Sequence, residues 1–209
     1  MAIAKRVFTM VQSGLKSYGP SVLKRRMWDS EYASDKWNFA DHTMGDCVYA
    51  HLEKHARNGS ILDLGCGTNT GNELAEHCYR RYVGTDISEV CVNKARRISK
   101  ELGRAGKNEF MVADFLTYVP SEKFDVILFR ESMYHVPMNK IKETLDRYSK
   151  HLTDRGVFVV RLFTSDQAGN AKQRPIAMLD IIAREFTVLE NGQYEKNSSK
   201  ATVMVFRPR

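Results

Sequence analysis

A chain of 209 residues with 43% hydrophobic and 27% charged content has the make-up of one soluble domain around a single core. No apolar run approaches the ~18 residues of a membrane span, and the N-terminus has neither a continuous apolar h-region nor a small-residue cleavage site. Cys47, Cys66, Cys78 and Cys91 form no C-x-x-C and no close Cys/His pair, which predicts a reduced, cytoplasmic protein without structural zinc. The net charge of +7 is uneven: six basic residues and no acid precede Trp28, and the remainder carries 26 basic against 25 acidic residues. A near-neutral body makes nucleic acid an unexpected partner, since nucleic-acid binding usually needs a positive field on the folded face.

In the arm, Ile3, Val7, Met10, Val11 and Leu15 recur at helical spacing, and Gly19-Pro20 breaks the pattern. Packing on the body is the expected role; a peripheral membrane or an acidic partner reached through residues 1–26 is the alternative. Trp28, Tyr32, Trp37, Phe39 and His42 then cluster aromatic and imidazole groups. Such a cluster anchors the arm to the core, lids a pocket, or does both. Residues 41–57 read as a helix with Met44, Val48 and Leu52 on one stripe, ended by Asn58-Gly59.

The organising stretch is Ser60-Ile61-Leu62-Asp63-Leu64-Gly65-Cys66-Gly67-Thr68-Asn69-Thr70-Gly71. An apolar strand, a glycine turn and a helix start make the nucleotide-binding corner of a doubly wound α/β sheet. A dinucleotide would bring a pyrophosphate, which Asp63 repels. S-adenosylmethionine (SAM) carries a sulfonium and an ammonium, which Asp63 attracts. The NAD fingerprint Gly-x-Gly-x-x-Gly also fails, because Thr70 holds its last position. The stretch resembles the Asp/Glu-x-Gly-x-Gly-x-Gly motif of class I SAM-dependent methyltransferases, with Asn69 at the third glycine. Asn69 is expected to keep the loop path because Asn tolerates the left-handed region.

Strand two, residues 81–85, ends at Asp86, placed to accept both ribose hydroxyls, and Ser88 is a plausible helix cap. Strand three ends at Asp114-Phe115, and strand four, residues 124–129, runs into Arg130-Glu131-Ser132-Met133-Tyr134-His135. Asp125 opens that strand at the far edge and reads as structural. A helix over residues 139–152, a turn at Asp154-Arg155-Gly156, strand five over 157–163, a helix near 175–184 and two closing strands complete the chain.

The resemblance covers residues 28–207 and implies a Rossmann-like seven-stranded sheet with a reversed C-terminal strand, plus an N-terminal helical arm and lid. One domain over 1–209 is expected: arm and lid over 1–40, catalytic core over 41–209. It implies cofactor contacts from Asp63, Gly65, Cys66, Gly67, Asp86, Ile87, Asp114, Phe115, Arg130 and Glu131. Trp28, Tyr32, Trp37, His42 and Tyr134 are implied at the lid and acceptor site. His135 lies past strand four, beside the transfer point, where an imidazole suits proton removal near neutral pH. No clustered oxygen ligands for Mg²⁺ are evident, so no metal is expected. The expected activity is methyl transfer from SAM, with S-adenosyl-L-homocysteine as product, to an oxygen or nitrogen of a small polar metabolite. RNA or cap methylation, and a non-catalytic SAM-fold binding protein, are the alternatives.

Overall fold

The computed structural model describes residues 14–34, 36–37, 45–164, 170–196 and 199–209. Among these, the chain forms a seven-stranded sheet in the order β3-β2-β1-β4-β5-β7-β6. Its strands are β1 (Gly59–Leu64), β2 (Tyr79–Asp86), β3 (Asn108–Val112), β4 (Phe124–Arg130), β5 (Leu152–Phe163), β6 (Thr187–Lys196) and β7 (Ser199–Arg207). The first five pair in parallel, whereas β7 runs antiparallel to both β5 and β6. This is the doubly wound sheet with a reversed C-terminal strand that the sequence implies.

Both faces are covered because successive strand residues point to opposite sides. Leu62, Leu64, Ile127, Phe129 and Val160 join Ile141, Leu145, Tyr148 and Ile182 in one buried cluster. Ile61, Val126, Leu128 and Val159 join Val48, Leu52, Val92 and Ala95 in the other. The helices therefore divide into two layers. Helices α2 (Val48–Ala56), α3 (Thr70–Glu73) and α4 (Glu89–Glu101) cover the second face; α5 (Ile141–Ser149) and α6 (Asn170–Glu185) cover the first.

Gly19-Pro20 breaks the helical residues 14–18, and a helix the sequence reading passed over, α1 (Ser21–Ala33), starts directly after it. The amphipathic pattern over residues 3–13, with the segment that carries His42 and Met44, lies outside the described residues. Several boundaries differ from expectation: α2 starts at Val48 rather than before residue 45, and α5 ends at Ser149. Strand β5 begins at Leu152, so Asp154-Arg155-Gly156 is not a turn but the site of a register shift against β4. Helix α6 starts at Asn170 and carries Pro175 inside it, and β6, expected over 186–189, is ten residues long because its ladder with β7 extends through Lys196. Ser88 does cap α4, its side chain accepting the Cys91 N–H at 3.2 Å. Asp125 accepts from Ser60 N and Thr153 Oγ1 at the start of β4, holding three segments at the edge opposite the crevice.

Candidate active site

The order β2-β1-β4 puts the topological switch point between β1 and β4, where open α/β sheets bind ligands beyond the carboxyl ends of their strands. At that edge the turn after β1 takes φ +77° at Gly65 and +61° at Gly67. A Cβ on Gly65 would lie 2.6 Å from Ser132 Cβ, so the glycine turn touches the loop that follows β4. Asn69 has φ −121°, outside the left-handed region, and it precedes α3 as the N-cap. The close packing that a third glycine allows falls instead on Gly71, where a Cβ would lie 2.4 Å from the Tyr82 ring.

The loop's amides are already donated. Gly65 N and Cys66 N both bond Thr85 O, at 2.8 and 2.9 Å, and Gly67 N bonds Asp86 Oδ2 at 3.3 Å. A phosphate cradle needs such N–H groups free and pointing at the anion. Here they instead hold β2 and the acid at its end. Asp86 Oδ1 accepts Ser88 N at 2.9 Å, and burial outweighs these bonds to push its carboxyl up to about 6. Ile87, half-buried, follows in the same turn.

Asp63 lies deeper than its motif suggests. It is fully buried, its Oδ2 accepts the Tyr82 hydroxyl at 2.7 Å, and its Oδ1 meets no hydrogen-bond donor within bonding distance among the described residues. Burial raises its pKa to about 7. Cys66 is equally interior, its thiol donating to Gly67 O at 3.2 Å and pushed up by burial. The Phe115 ring packs edge-on to Phe129 beneath the glycine turn, 3.8 Å from where a Gly65 Cβ would be. The Phe115 carbonyl is fixed by Arg147 and Tyr148.

At the end of β3, Asp114 is not open to the crevice. Its Oδ2 meets Lys24 Nζ at 2.5 Å and Ser21 Oγ at 2.7 Å, and its Oδ1 accepts Leu116 N at 3.0 Å. Burial works to raise this carboxyl, but the lysine and the two other donors hold it below the usual range. Lys24 comes from α1, which lies along the crevice with Lys24, Trp28 and Tyr32 one helical turn apart on a single face. The Trp28 ring stands edge-on to His135 at 5.1 Å and also contacts Tyr32 and Trp37. The Lys16 ammonium sits 3.7 Å over the Trp28 ring, so this aromatic face accepts a cation. The Tyr32 hydroxyl lies 3.9 Å from the position of a Gly67 Cβ, and burial, then the Asp86 charge, raise its pKa. Trp37 donates to Glu31 Oε2 at 3.0 Å, which also accepts from Lys16.

On the other side of the switch point, Arg130 and Arg161 are register partners on β4 and β5. Arg130 bonds Asp46 Oδ2 through Nε and Nη2 at 3.1 and 2.8 Å. Arg161 pairs with Glu131, and its buried Nε lies 3.5 Å from Asp46 Oδ1. Glu131 is held at φ +55°, an uncommon conformation for a side chain of this size. Burial raises its carboxyl despite Arg161, whereas Arg130 and Arg161 outweigh burial and keep Asp46 below the usual range. Tyr134 ties this loop to β5, its hydroxyl bonded to Phe163 N at 2.6 Å and Phe163 O at 3.0 Å. Arg174 bonds the carbonyls on either side of His135, at 2.9 and 3.0 Å. Burial, followed by the cations Lys16, Arg174 and Lys24, lowers His135 to about 4.

Helix α1 thus links Asp114, His135 and the turn at Gly67 through Lys24, Trp28 and Tyr32, and Asp86 is bonded to the same turn. The side chains of Asp63, Cys66 and Phe115 lie behind it. Sequence reasoning missed Ser21, Lys24, Asp46, Arg161 and Arg174. A signal existed for Lys24 alone, in its i, i+4, i+8 spacing with Trp28 and Tyr32. Among the described residues there is no group of three or more His, Cys, Asp or Glu side chains able to hold a metal, and no helix long and apolar enough to cross a membrane.

The profile of the family described as "Methyltransferase domain" matches residues 37–195, and the chain belongs to that family. Its fold is that of the class I SAM-dependent methyltransferases, whose cofactor is SAM. Among solved structures it is similar to the N-methyltransferase NodS of Bradyrhizobium japonicum in complex with S-adenosyl-L-homocysteine, with TM-score 0.66 and 18% identity over 88% of this chain and 97% of that one. It is likewise similar to the 1,6-didemethyltoxoflavin-N1-methyltransferase of Burkholderia thailandensis, with TM-score 0.69 and 19% identity over 88% and 86% of the two chains. A probable thiol methyltransferase of Arabidopsis thaliana is 37% identical over 82 residues, 38% of this chain. The matched stretches span 36% and 38% of the length of the two curated relatives.

Proposed function

We propose that the protein transfers a methyl group from SAM to an oxygen or nitrogen of a small polar metabolite. One observation carries the cofactor side of this reading: the amides of Gly65, Cys66 and Gly67 are donated to Thr85 and Asp86. A turn with its N–H groups engaged and a carboxylate at its rim disfavours a pyrophosphate and suits a phosphate-free, positively charged ligand. The Lys16 ammonium over Trp28 supports the same sign preference.

SAM, when bound, supplies a methyl already activated on a sulfonium. The residues then have three tasks. Asp86 is to accept the ribose hydroxyls and Asp114 the adenine amino group, and the end of β4 at Arg130 and Glu131 is to line the methionine end. Trp28 and Tyr32 exclude water and, with Tyr134, wall the acceptor; alignment of acceptor and methyl supplies most of the acceleration. His135, with its pKa lowered to about 4, is uncharged at neutral pH and so able to accept a proton, but it is a weaker base than the ordinary imidazole the sequence predicts.

Small acceptors are favoured over RNA because Lys24 of the basic arm is buried against Asp114 rather than facing solvent. Calorimetry with SAM, S-adenosyl-L-homocysteine and NAD tests the cofactor, and labelled SAM offered with pooled metabolites tests the acceptor. Binding of NAD in preference to SAM would overturn the reading.

A further inference from the structure

Helix α1 does more than roof the crevice. Along one side it carries Ser21, Lys24, Trp28 and Tyr32, which between them meet three parts of the proposed cofactor site. Ser21 and Lys24 take Asp114 Oδ2 at 2.7 and 2.5 Å, Trp28 meets His135, and Tyr32 lies over Gly67. A further pin holds the helix down: Asp29 Oδ1 accepts Ser88 Oγ at 2.7 Å and Val90 N at 3.2 Å at the start of α4. The Lys24 and Asp114 side chains are only 7% and 8% exposed.

We infer that Lys24 sets the cofactor affinity of this protein: its ammonium engages the Asp114 carboxylate that the adenine amino group requires, so α1 is a latch the cofactor must open. The inference rests on Asp114 being the adenine-side acid of a SAM site. The physical basis is competition for one acceptor. A buried carboxylate that loses its cation is left uncompensated and gains more from the next donor offered to it. Binding therefore includes the cost of parting Lys24 from Asp114, and an apolar side chain of similar length at position 24 removes that cost. A lysine that merely supported the site would give the opposite sign, because its loss would weaken binding.

The experiment is calorimetric titration of S-adenosyl-L-homocysteine into wild type, Lys24→Met and Ser21→Ala. The latch predicts that Lys24→Met binds about fivefold tighter, which is about 1 kcal/mol. Ser21→Ala should move in the same direction by less, and Ser21 is solvent-exposed, so that variant keeps the test intact if Lys24→Met folds poorly. If wild type binds and both variants bind equally or more weakly, the latch is wrong while the cofactor reading stands. If wild type fails to bind, the cofactor reading falls and takes the latch with it.

Discussion

The two sides of the switch point manage charge in different ways. On the β1–β2 side, the carboxylates of Asp63 and Asp86 are met by hydroxyls and backbone N–H groups, and burial dominates, raising them to about 7 and about 6. On the β4–β5 side, two guanidiniums and two carboxylates interlock as Asp46, Arg130, Arg161 and Glu131. The first side keeps its acids without a bonded cation among the described residues, Asp63 in the interior and Asp86 beside the glycine turn. The second neutralises itself internally, each carboxylate facing a guanidinium. Polarity alone therefore does not mark a ligand site; the balance of charge within each cluster does.

The largest effect expected from this contrast comes from breaking the interlocked side. Arg161→Met leaves Asp46 and Glu131 partly uncompensated in a buried setting and should destabilise the fold by ~3 kcal/mol. Denaturant melts check this, and a loss under ~1 kcal/mol would place the cluster among ordinary surface ion pairs. At the transfer point, His135→Ala should lower turnover ~10²-fold with S-adenosyl-L-homocysteine affinity retained. If His135 is the base, the acid limb of the rate profile lies near 4 rather than near the ordinary 6.5; unaltered turnover in the variant removes it from that role.

On the carboxylate side, Asp86→Ala should weaken S-adenosyl-L-homocysteine by about 2 kcal/mol, through lost ribose bonds and through release of Gly67 N and Ser88 N. Unchanged affinity in calorimetry would detach Asp86 from the cofactor. A further effect is a pH dependence at Asp63, read as a slope rather than as a single loss. Its folded pKa is raised, so its contribution to stability is present in full below 3.8 and is lost as pH rises through about 7. Asp63→Asn should therefore gain on wild type across that window, by at most ~1.4 kcal/mol per pH unit, and hold level above it. Thermal melts that show a pH-independent difference would mean the carboxyl is not held in a dry site.

Much of this was legible from residues alone. Apolar runs at Ile61–Leu64 and Val126–Phe129 marked strands covered on both faces, and acids at 63, 86 and 114 marked strand ends. Even so, position in the motif did not say which way each side chain faces. Asp63 and Cys66 turn inward because Tyr82 and the glycine turn close over them, and Asp114 is engaged by a helix 90 positions earlier in the chain.

The sequence by itself determined the strands, the glycine turn and the helix cap at Ser88, and the family resemblance it carries implied the doubly wound sheet with its reversed strand. Strand alternation, positive φ and capping are local and are written in neighbouring residues. Only the tertiary structure decided that Lys24 sits on Asp114, that Asp46 joins Arg130 and Arg161, and that Arg174 and Trp28 enclose His135. Those contacts join residues tens of positions apart, and Coulomb and burial terms act through space once the topology has brought strand ends and helix faces together.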